Sequence, residues 1–591
     1  MGIDTTDTPR SSGIYGLFNL DDAPVDTRDA QALGLPATSQ PQSWQTAGHD
    51  AHMLSAVSHY ESTAGYTVLV GEVDETETLS ATLGLKRATP NAALAEAALM
   101  RYGSDLPAKL IGEWSLLHRA SNGRLTLMLS AGKRDRLHYA VRRNRVAVAP
   151  NLFALARLEW VGNAIDEAGM LFPIGRARVR SGGGDSTMLK AVYQLEAGAS
   201  AVIEPDGSVR KYQAQTLTEQ PRWQGSYADA VAETETLLRH IMHGKLVRNA
   251  KVAPMLSGGL DSSLLTWLCA GECGPDTDLL ALTSVAPPNS GIADESPFAD
   301  LVAKTLGMKS RHVFPADDIN IYRPPEYILA GGSGPILPNR HCLTNAFQIA
   351  AKDIGATLII DGTFGEMSVT ARLPSPDPMQ KLRSFIGPML RATPFFRLSK
   401  DETTPFHVRL APRLLANLPE PIQAARTAEP AKHIWPRQNE LLGYMPGSRK
   451  ALAQPNEFYP GAVRMTHPYR DIRLLRLFAS FPMQMLTENG ADRGVGRAMM
   501  AGHLPDAIRL RNRGMPASPD HYARLQRQAA VARLRIPHFR KADIDDWLDL
   551  EWLDGALQSV ATRGPVNVEE ANEVQLTAIA AEFLLWWRLQ S

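Results

Sequence analysis

At the amino-terminal end, short apolar stretches recur at strand length. Runs at Ile14–Phe18, Tyr66–Val70, Leu125–Leu129, Val146–Val148 and Ser200–Ile203 predict strands. Turn residues separate them, as at Ser121-Asn122-Gly123 and Pro205-Asp206-Gly207. Ala92–Tyr102 has the spacing of a helix. Residues 1–215 therefore read as a layered α+β domain dominated by strands.

The period then changes. Ala228–Lys245 is predicted helical, Val252–Leu256 a short strand, and Ser262–Ala270 a helix with Leu264, Leu265 and Leu268 at helical spacing. Leu279–Val285 predicts a second strand, Pro297–Leu306 a helix, Leu343–Ile354 another, and Thr357–Ile360 a further strand. Strands alternating with helices imply a doubly wound parallel sheet, so residues 216–591 read as an α/β domain. Residues 373–460 are rich in Pro and Arg without a clean period, and read as short helices, loop and lid. The remainder is helical and ends in the apolar run Ile579–Trp587.

A chain of 591 residues exceeds one ordinary core, which agrees with two domains. Lys plus Arg and Asp plus Glu both number 62, so no global basic field points to nucleic acid. The three cysteines, Cys269, Cys273 and Cys342, have no neighbouring Cys/His set to complete a tetrahedral metal site. They read as buried free thiols of a reducing compartment. No apolar run reaches the roughly 18 residues that span a bilayer, and MGIDTTDTPRSS has no apolar core of a secretory signal. A cytoplasmic location is the expectation.

The sharpest chemical signal is Ser257-Gly258-Gly259-Leu260-Asp261-Ser262-Ser263, which follows a strand and opens a helix. The glycines allow close backbone approach, the helix start adds unpaired N–H groups, and the serines add hydroxyl donors. Together these make an anion cradle at a strand end, where doubly wound sheets bind ligands. Asp261 inside a phosphate cradle is explained by a bridging Mg²⁺. The Walker pattern is absent, because no Gly-Lys-Ser/Thr follows. A second glycine turn, Asp361-Gly362-Thr363-Phe364-Gly365-Glu366, follows Leu358-Ile359-Ile360. Between them, Asp294-Glu295-Ser296 precedes a helix, where Asp and Ser are good caps.

The first string resembles the pyrophosphate loop of the ATP-pyrophosphatase superfamily, and the second resembles a hallmark motif of asparagine synthetases. On that register Glu366 stands at a metal-binding aspartate, Thr363 where a glutamate is frequent, and Asp361 at a serine. Val285 stands where family members hold adenine through the backbone. Arg464 with His467-Pro468-Tyr469-Arg470-Asp471 and Leu474, and Leu504-Pro505-Asp506-Ala507-Ile508 with Arg511 and Arg513, resemble two further family elements. The family ends the second of these with a lysine, replaced here by Arg513, which keeps the charge but cannot exchange a proton. Ser12-Gly13-Ile14-Tyr15-Gly16-Leu17 resembles the start of class II glutamine amidotransferases, with Leu195-Glu196-Ala197-Gly198 and Tyr212 at the end of that domain. In those enzymes the nucleophile is an N-terminal cysteine. Here Ser12 takes its place behind residues 1–11, and no cysteine precedes Cys269.

The resemblance implies a degenerate Ntn-type layered domain followed by an ATP-pyrophosphatase domain with C-terminal helices. It implies an ATP-dependent, AMP-forming amide ligase without glutaminase activity. Ser257, Gly258, Gly259, Leu260, Ser262, Ser263, Val285 and Gly362 would hold ATP. Asp261 and Glu366 would hold Mg²⁺ and, with Arg513, serve catalysis. The degenerate first domain, residues 373–460 and the Leu585-Trp586-Trp587-Arg588 tail look most like lasso peptide cyclases. The implied substrate is a peptide or small carboxylate, with a leader peptidase and a leader-peptide recognition protein as expected partners. A ligase using ammonia or a small amine, and a non-catalytic scaffold, are the alternative readings.

Overall fold

The structure is a computed structural model that describes residues 13–21, 23–33, 58–132, 136–176, 179, 182–214, 220–316, 318–331, 339–371, 405–427, 462–487, 491–512 and 517–590. Its amino-terminal strands are β1 Gly16–Asn19, β2 Ser58–Ser62, β3 Gly65–Val73, β4 Gly112–Ala120, β5 Leu125–Leu129, β6 His138–Arg142, β7 Arg145–Ala149, β8 Tyr193–Gln194, β9 Ala199–Ile203 and β10 Val209–Gln213. They form a sheet in the order β1-β7-β6-β8 and another in the order β10-β9-β5-β4-β3-β2, each antiparallel throughout.

Strand alternation makes the layers. In β7, Val146 and Val148 join the core between the two sheets, while Ala147 and Ala149 face the opposite core. In β5, Leu125, Leu127 and Leu129 point inward and Met128 points to the helix Asn91–Tyr102. Successive side chains on a strand point to opposite faces, so a strand buried on both faces reads as a continuous apolar run.

The second unit is a parallel sheet of β11 Lys251–Pro254, β12 Asp278–Ser284, β13 Lys309–Val313, β14 Leu358–Ile360 and β15 Arg464–Thr466, in the order β13-β12-β11-β14-β15. It is doubly wound. Val252, Leu358 and Ile360 pack on the helix side containing Leu264, Leu268 and Ile241, while Ala253 and Ile359 pack against Leu343 and Phe347 of the helix His341–Asp353. The strand order reverses direction between β11 and β14, the position where such sheets open a ligand crevice. The fold is thus α/β overall, with a layered antiparallel unit ahead of a doubly wound parallel sheet.

The two units share a core. Helices Leu550–Arg563 and Val568–Gln590 pack with Leu152, Phe153, Leu155, Met170 and Leu171 on the outer face of the β1-β7-β6-β8 sheet. Phe153 meets Trp586 and Trp587 at ring-centroid distances of 4.9 and 5.2 Å. Of residues 373–460, the described stretch 405–427 packs in this same core through Phe406, Ile422 and Ala425, and Arg176 N–H donates to the Pro405 carbonyl at 2.8 Å. None of that stretch lines the pocket described below. The rest of the expected lid lies outside the described residues.

A charged seam joins the units elsewhere. Lys245 Nζ and Thr466 Oγ1 donate to Glu113 Oε1 at 2.9 and 2.6 Å. Arg464 pairs with Glu72 at 2.6 Å, Arg248 with Asp74 at 3.2 Å, and Arg473 with both Asp471 and Glu75. The thiols differ from the sequence expectation in one respect: Cys269 and Cys342 are buried, but Cys273 is only half-buried, because it caps the helix end instead of continuing it. Burial pushes the Cys269 thiol well up. Among the described residues no helix is long and apolar enough to cross a membrane.

Candidate active site

The first loop leaves β11 and enters the helix Leu260–Glu272 with Gly259 as its N-cap. Gly258 has φ +71°, and a Cβ there would lie 2.6 Å from Phe298 Cβ and 2.7 Å from Ala299 N, so only glycine fits. The serines knit the turn. Ser257 N–H donates to Ser262 Oγ at 3.1 Å, the two hydroxyls lie 3.0 Å apart, and Gly259 N–H donates to Ser257 Oγ at 3.3 Å.

The second loop leaves β14, the neighbour of β11, and reaches the same place. A Cβ on Gly362 would lie 3.1 Å from Ser262 N, and one on Gly365 only 1.7 Å from Asp261 Oδ1. Phe364 between them takes φ +80°, an uncommon conformation for a bulky residue, and its buried ring lies beneath the Arg470 guanidinium at 5.0 Å. Thr370 Oγ1 donates to Asp261 Oδ1, and the Tyr469 hydroxyl donates to the Asp261 carbonyl at 2.9 Å. Asp261 is therefore held from two directions by residues far away in sequence.

A pocket of about 570 Å³ opens over these loops, a volume typical of small-molecule sites. Ser257, Gly259, Asp261, Ser262, Gly362 and Glu366 line it together. Glu366 is exposed at its edge. Among the described residues no cluster of three or more His, Cys, Asp or Glu could hold a metal. Two carboxylates facing one pocket nevertheless fit Mg²⁺, which is commonly held by one or two carboxylates plus substrate phosphates.

Other residues singled out by sequence stand differently. The Leu260 side chain is buried at 2 % exposure in the core beneath the loop, so it offers a backbone group alone. Ser263 is fully buried under the first helical turn, with a hydroxyl that has no partner among the described residues. Gly258 lies behind the pocket, and its carbonyl accepts from Arg511 Nη1 at 2.9 Å. Val285 sits next to the pocket wall, and its N–H is committed to the Val313 carbonyl at 2.9 Å. The wall is formed by its neighbour Ser284, whose buried hydroxyl has no partner among the described residues. Arg513 lies outside the described residues, between Asn512, to which Arg497 donates at 3.0 Å, and Ala517, which lines the pocket.

Arg340 carried no sequence signal, and the motif residues Arg511, Glu295, His467 and Asp361 carried none of their pairings. Arg511 Nη2 donates to Glu295 Oε1 at 2.6 Å, and its guanidinium stacks 3.7 Å from the Phe298 ring centroid. Glu295 thus lines the pocket, while Asp294 does the capping, accepting from Ser296 N–H at 2.9 Å and Ala286 N–H at 2.7 Å. Arg340 also lines the pocket and makes no side-chain hydrogen bond to the described residues, which leaves a cation facing the cavity. His467 lines it as well, with Nδ1 3.2 Å from Asp361 Oδ2. Asp361 is held at about 2: burial pushes it up, but His467 and the Thr363 hydroxyl and N–H outweigh burial. The missed signals are long-range pairings, which leave no trace in local periodicity.

Among solved structures, a glutamine phosphoribosylpyrophosphate amidotransferase from B. subtilis, complexed with ADP and GMP, is 11% identical over 65% of this chain and 84% of that one, at a TM-score of 0.23. The U34-tRNA thiolase NcsA from Methanococcus maripaludis, with its 4Fe-4S cluster, is 14% identical over 40% of this chain and 98% of that one, at a TM-score of 0.20. Scores this low carry no argument about the architecture, which rests on the sheets described above. None of the curated proteins matches the chain. The asparagine synthase family model matches residues 233–331 and 462–588, which contain the first loop, Glu295, His467–Asp471 and Arg511 but not Asp361–Glu366. That match supports the asparagine synthetase family and, with it, an ATP-dependent amide-forming ligase.

Proposed function

We propose that this chain is an ATP-dependent, AMP-forming ligase that adenylates a carboxylate and joins it to an amine of the same peptide, closing a macrolactam. The observation that carries the reading is the meeting of two glycine loops at the reversal of the sheet, with Asp261 and Glu366 lining one pocket. The N–H groups at the start of the helix Leu260–Glu272, with Ser257 and Ser262, suit the phosphates of ATP. When bound, Mg²⁺ supplies neutralisation of phosphate charge, and Asp261 and Glu366 are the residues that would hold it.

The substrate carboxylate attacks the α-phosphorus, and pyrophosphate leaves. Arg340 at the pocket wall, and Arg513 beyond Asn512, suit that departing charge. The amine then attacks the acyl-adenylate, and holding both ends in one molecule supplies much of the rate. The absence of cysteine before Cys269 supports a nitrogen source other than glutamine. The resemblance of the first domain and the tail to lasso peptide cyclases supports a peptide substrate, with a leader peptidase and a leader-recognition protein as partners.

The test uses the full chain with ATP, Mg²⁺ and a peptide bearing a free N-terminal amine and an internal Asp or Glu. AMP, pyrophosphate and a peptide lighter by one water are the expected products. Asp261→Asn and Glu366→Gln should each abolish turnover in a folded protein. Production of ADP and phosphate would overturn the adenylation reading.

A further inference from the structure

We propose that Thr370 is a positioning residue for the cation of the nucleotide: its hydroxyl fixes the Asp261 carboxylate in the orientation that receives Mg²⁺ bound to ATP. This inference rests on the adenylating ligase reading and adds the group that holds Asp261 ready.

The second loop delivers Thr370 by turning back on itself. After the turn Gly365–Met367, the N–H groups of Ser368 and Thr370 donate to the Gly365 carbonyl at 2.9 and 3.0 Å. That fold returns Thr370 to the first loop, where its hydroxyl donates to Asp261 Oδ1 across 109 residues of chain. Thr370 is 2% exposed and is not part of the pocket lining. It therefore acts through Asp261, which does line the pocket.

A separate element holds the threonine. At the start of the helix Gly494–Met500, Gly496 N–H donates to the Val369 carbonyl at 2.8 Å and Arg493 N–H to the Ala371 carbonyl at 3.2 Å. A Cβ on Gly496 would lie 2.8 Å from the Val369 carbonyl oxygen and 3.2 Å from Thr370 Cγ2, so the helix closes against the threonine methyl. A β-branched side chain is stiff at χ1. With its methyl set against Gly496, Thr370 keeps its hydroxyl on Asp261.

The two carboxylates proposed to hold the cation differ accordingly. Asp261 is tied at its side chain by Thr370 and at its backbone carbonyl by the Tyr469 hydroxyl, at 2.9 Å. Glu366 is exposed at the pocket edge and makes no side-chain hydrogen bond to the described residues. A mobile carboxylate gives up rotamer freedom when it takes a cation, whereas a fixed one has given it up on folding. Thr370 is the side chain that makes Asp261 the fixed member of the pair.

The experiment measures ATP affinity of the full chain by calorimetry, once with Mg²⁺ and once with EDTA. The ratio of the two affinities reports the metal contact, because a loop loosened for any other reason weakens both forms. The parent should bind Mg²⁺·ATP more tightly than metal-free ATP. Thr370→Val keeps the branched shape and removes the hydroxyl. It should weaken Mg²⁺·ATP binding by about 10–100-fold, the usual effect of losing a group that orients a metal ligand, while metal-free ATP binds as before. Thr370→Ser keeps the hydroxyl and should restore the ratio. Thr370→Ala carries the same comparison if the valine variant does not fold. In an Asp261→Asn background, loss of the hydroxyl should alter neither affinity. A parental ratio without the hydroxyl, an equal loss of both forms, a serine variant no better than valine, or a loss that persists without the Asp261 carboxylate would each overturn the positioning role while the ligase reading stands. A parent whose ATP affinity is indifferent to Mg²⁺ would overturn the cation site of that reading, and this inference with it.

Discussion

A Cβ on Gly365 would stand 1.7 Å from Asp261 Oδ1, so the second loop can close on the first only because residue 365 has no side chain. The contact also pins the carboxylate, which accepts from the hydroxyl of Thr370. Gly365→Ala must therefore push Asp261 or the second loop aside. Overpacking of this kind costs about 1–3 kcal/mol. The expected outcome is a modest fall in thermal midpoint with loss of ATP–pyrophosphate exchange of about 100-fold or more, as for a misplaced catalytic group. Parental exchange by the alanine variant would show that this contact does not position Asp261.

Arg511 binds the back of the first loop, whereas Arg513 is proposed to serve catalysis. Arg511→Ala strips Glu295, itself 7% exposed, of a cation that is 13% exposed. Breaking a buried pair costs about 3–5 kcal/mol, so chemical denaturation should show a large loss of stability. Arg511→Lys, which loses the fork that spans Gly258 and Glu295, should fall between. Arg513→Ala should leave the denaturation midpoint unchanged and lower turnover by about 10²–10³-fold, while Arg513→Lys keeps appreciable activity. Equal destabilisation by both alanine variants would refute this division.

The seam between the units should be acid-sensitive. Burial pushes Glu113 up, but Lys245, Thr466 and Arg464 outweigh it and hold the group at about 2, below its ordinary 4.5. A depressed folded value means that the stabilisation is complete above pH 4.5 and is lost as pH falls toward 2. Glu113→Gln should therefore flatten the stability–pH curve in that window. It should also destabilise the protein near pH 7 by about 3 kcal/mol, because Lys245, 4% exposed, loses its partner. Urea midpoints measured across this range decide it, and an unchanged slope would assign the acid sensitivity elsewhere.

Glutamine should be inert. No cysteine precedes Cys269, and a serine hydroxyl is a weaker nucleophile than a thiolate at neutral pH. The purified protein, and a version lacking residues 1–11, should release no glutamate from glutamine above a blank. Clear glutaminase activity in either would overturn this reading of the first domain.

By itself the sequence determined the parts whose signal is local. Apolar runs marked β5, β11 and β12, and helical spacing marked Leu260–Glu272 and Tyr227–Leu246, each within a few residues of its observed ends. Glycine strings placed after strands located both loops, because such strings serve few purposes other than close backbone approach. Edge strands were less legible: Lys309–Val313 alternates charged and polar side chains, and Arg464–Thr466 is too short to show a period. Only the tertiary structure decided what those strands do. The register of β14 with β15 brings Asp361 to His467, and the adjacency of β11 and β14 brings Gly365 to Asp261. It also carried the C-terminal helices onto the first unit, so that Phe583 and Trp587 complete a core begun by Phe153. Such pairings join residues far apart along the chain, and their energy comes from burial and complementary charge at contact. No periodicity records that, because periodicity reports which face of an element is apolar and not which surface will cover it.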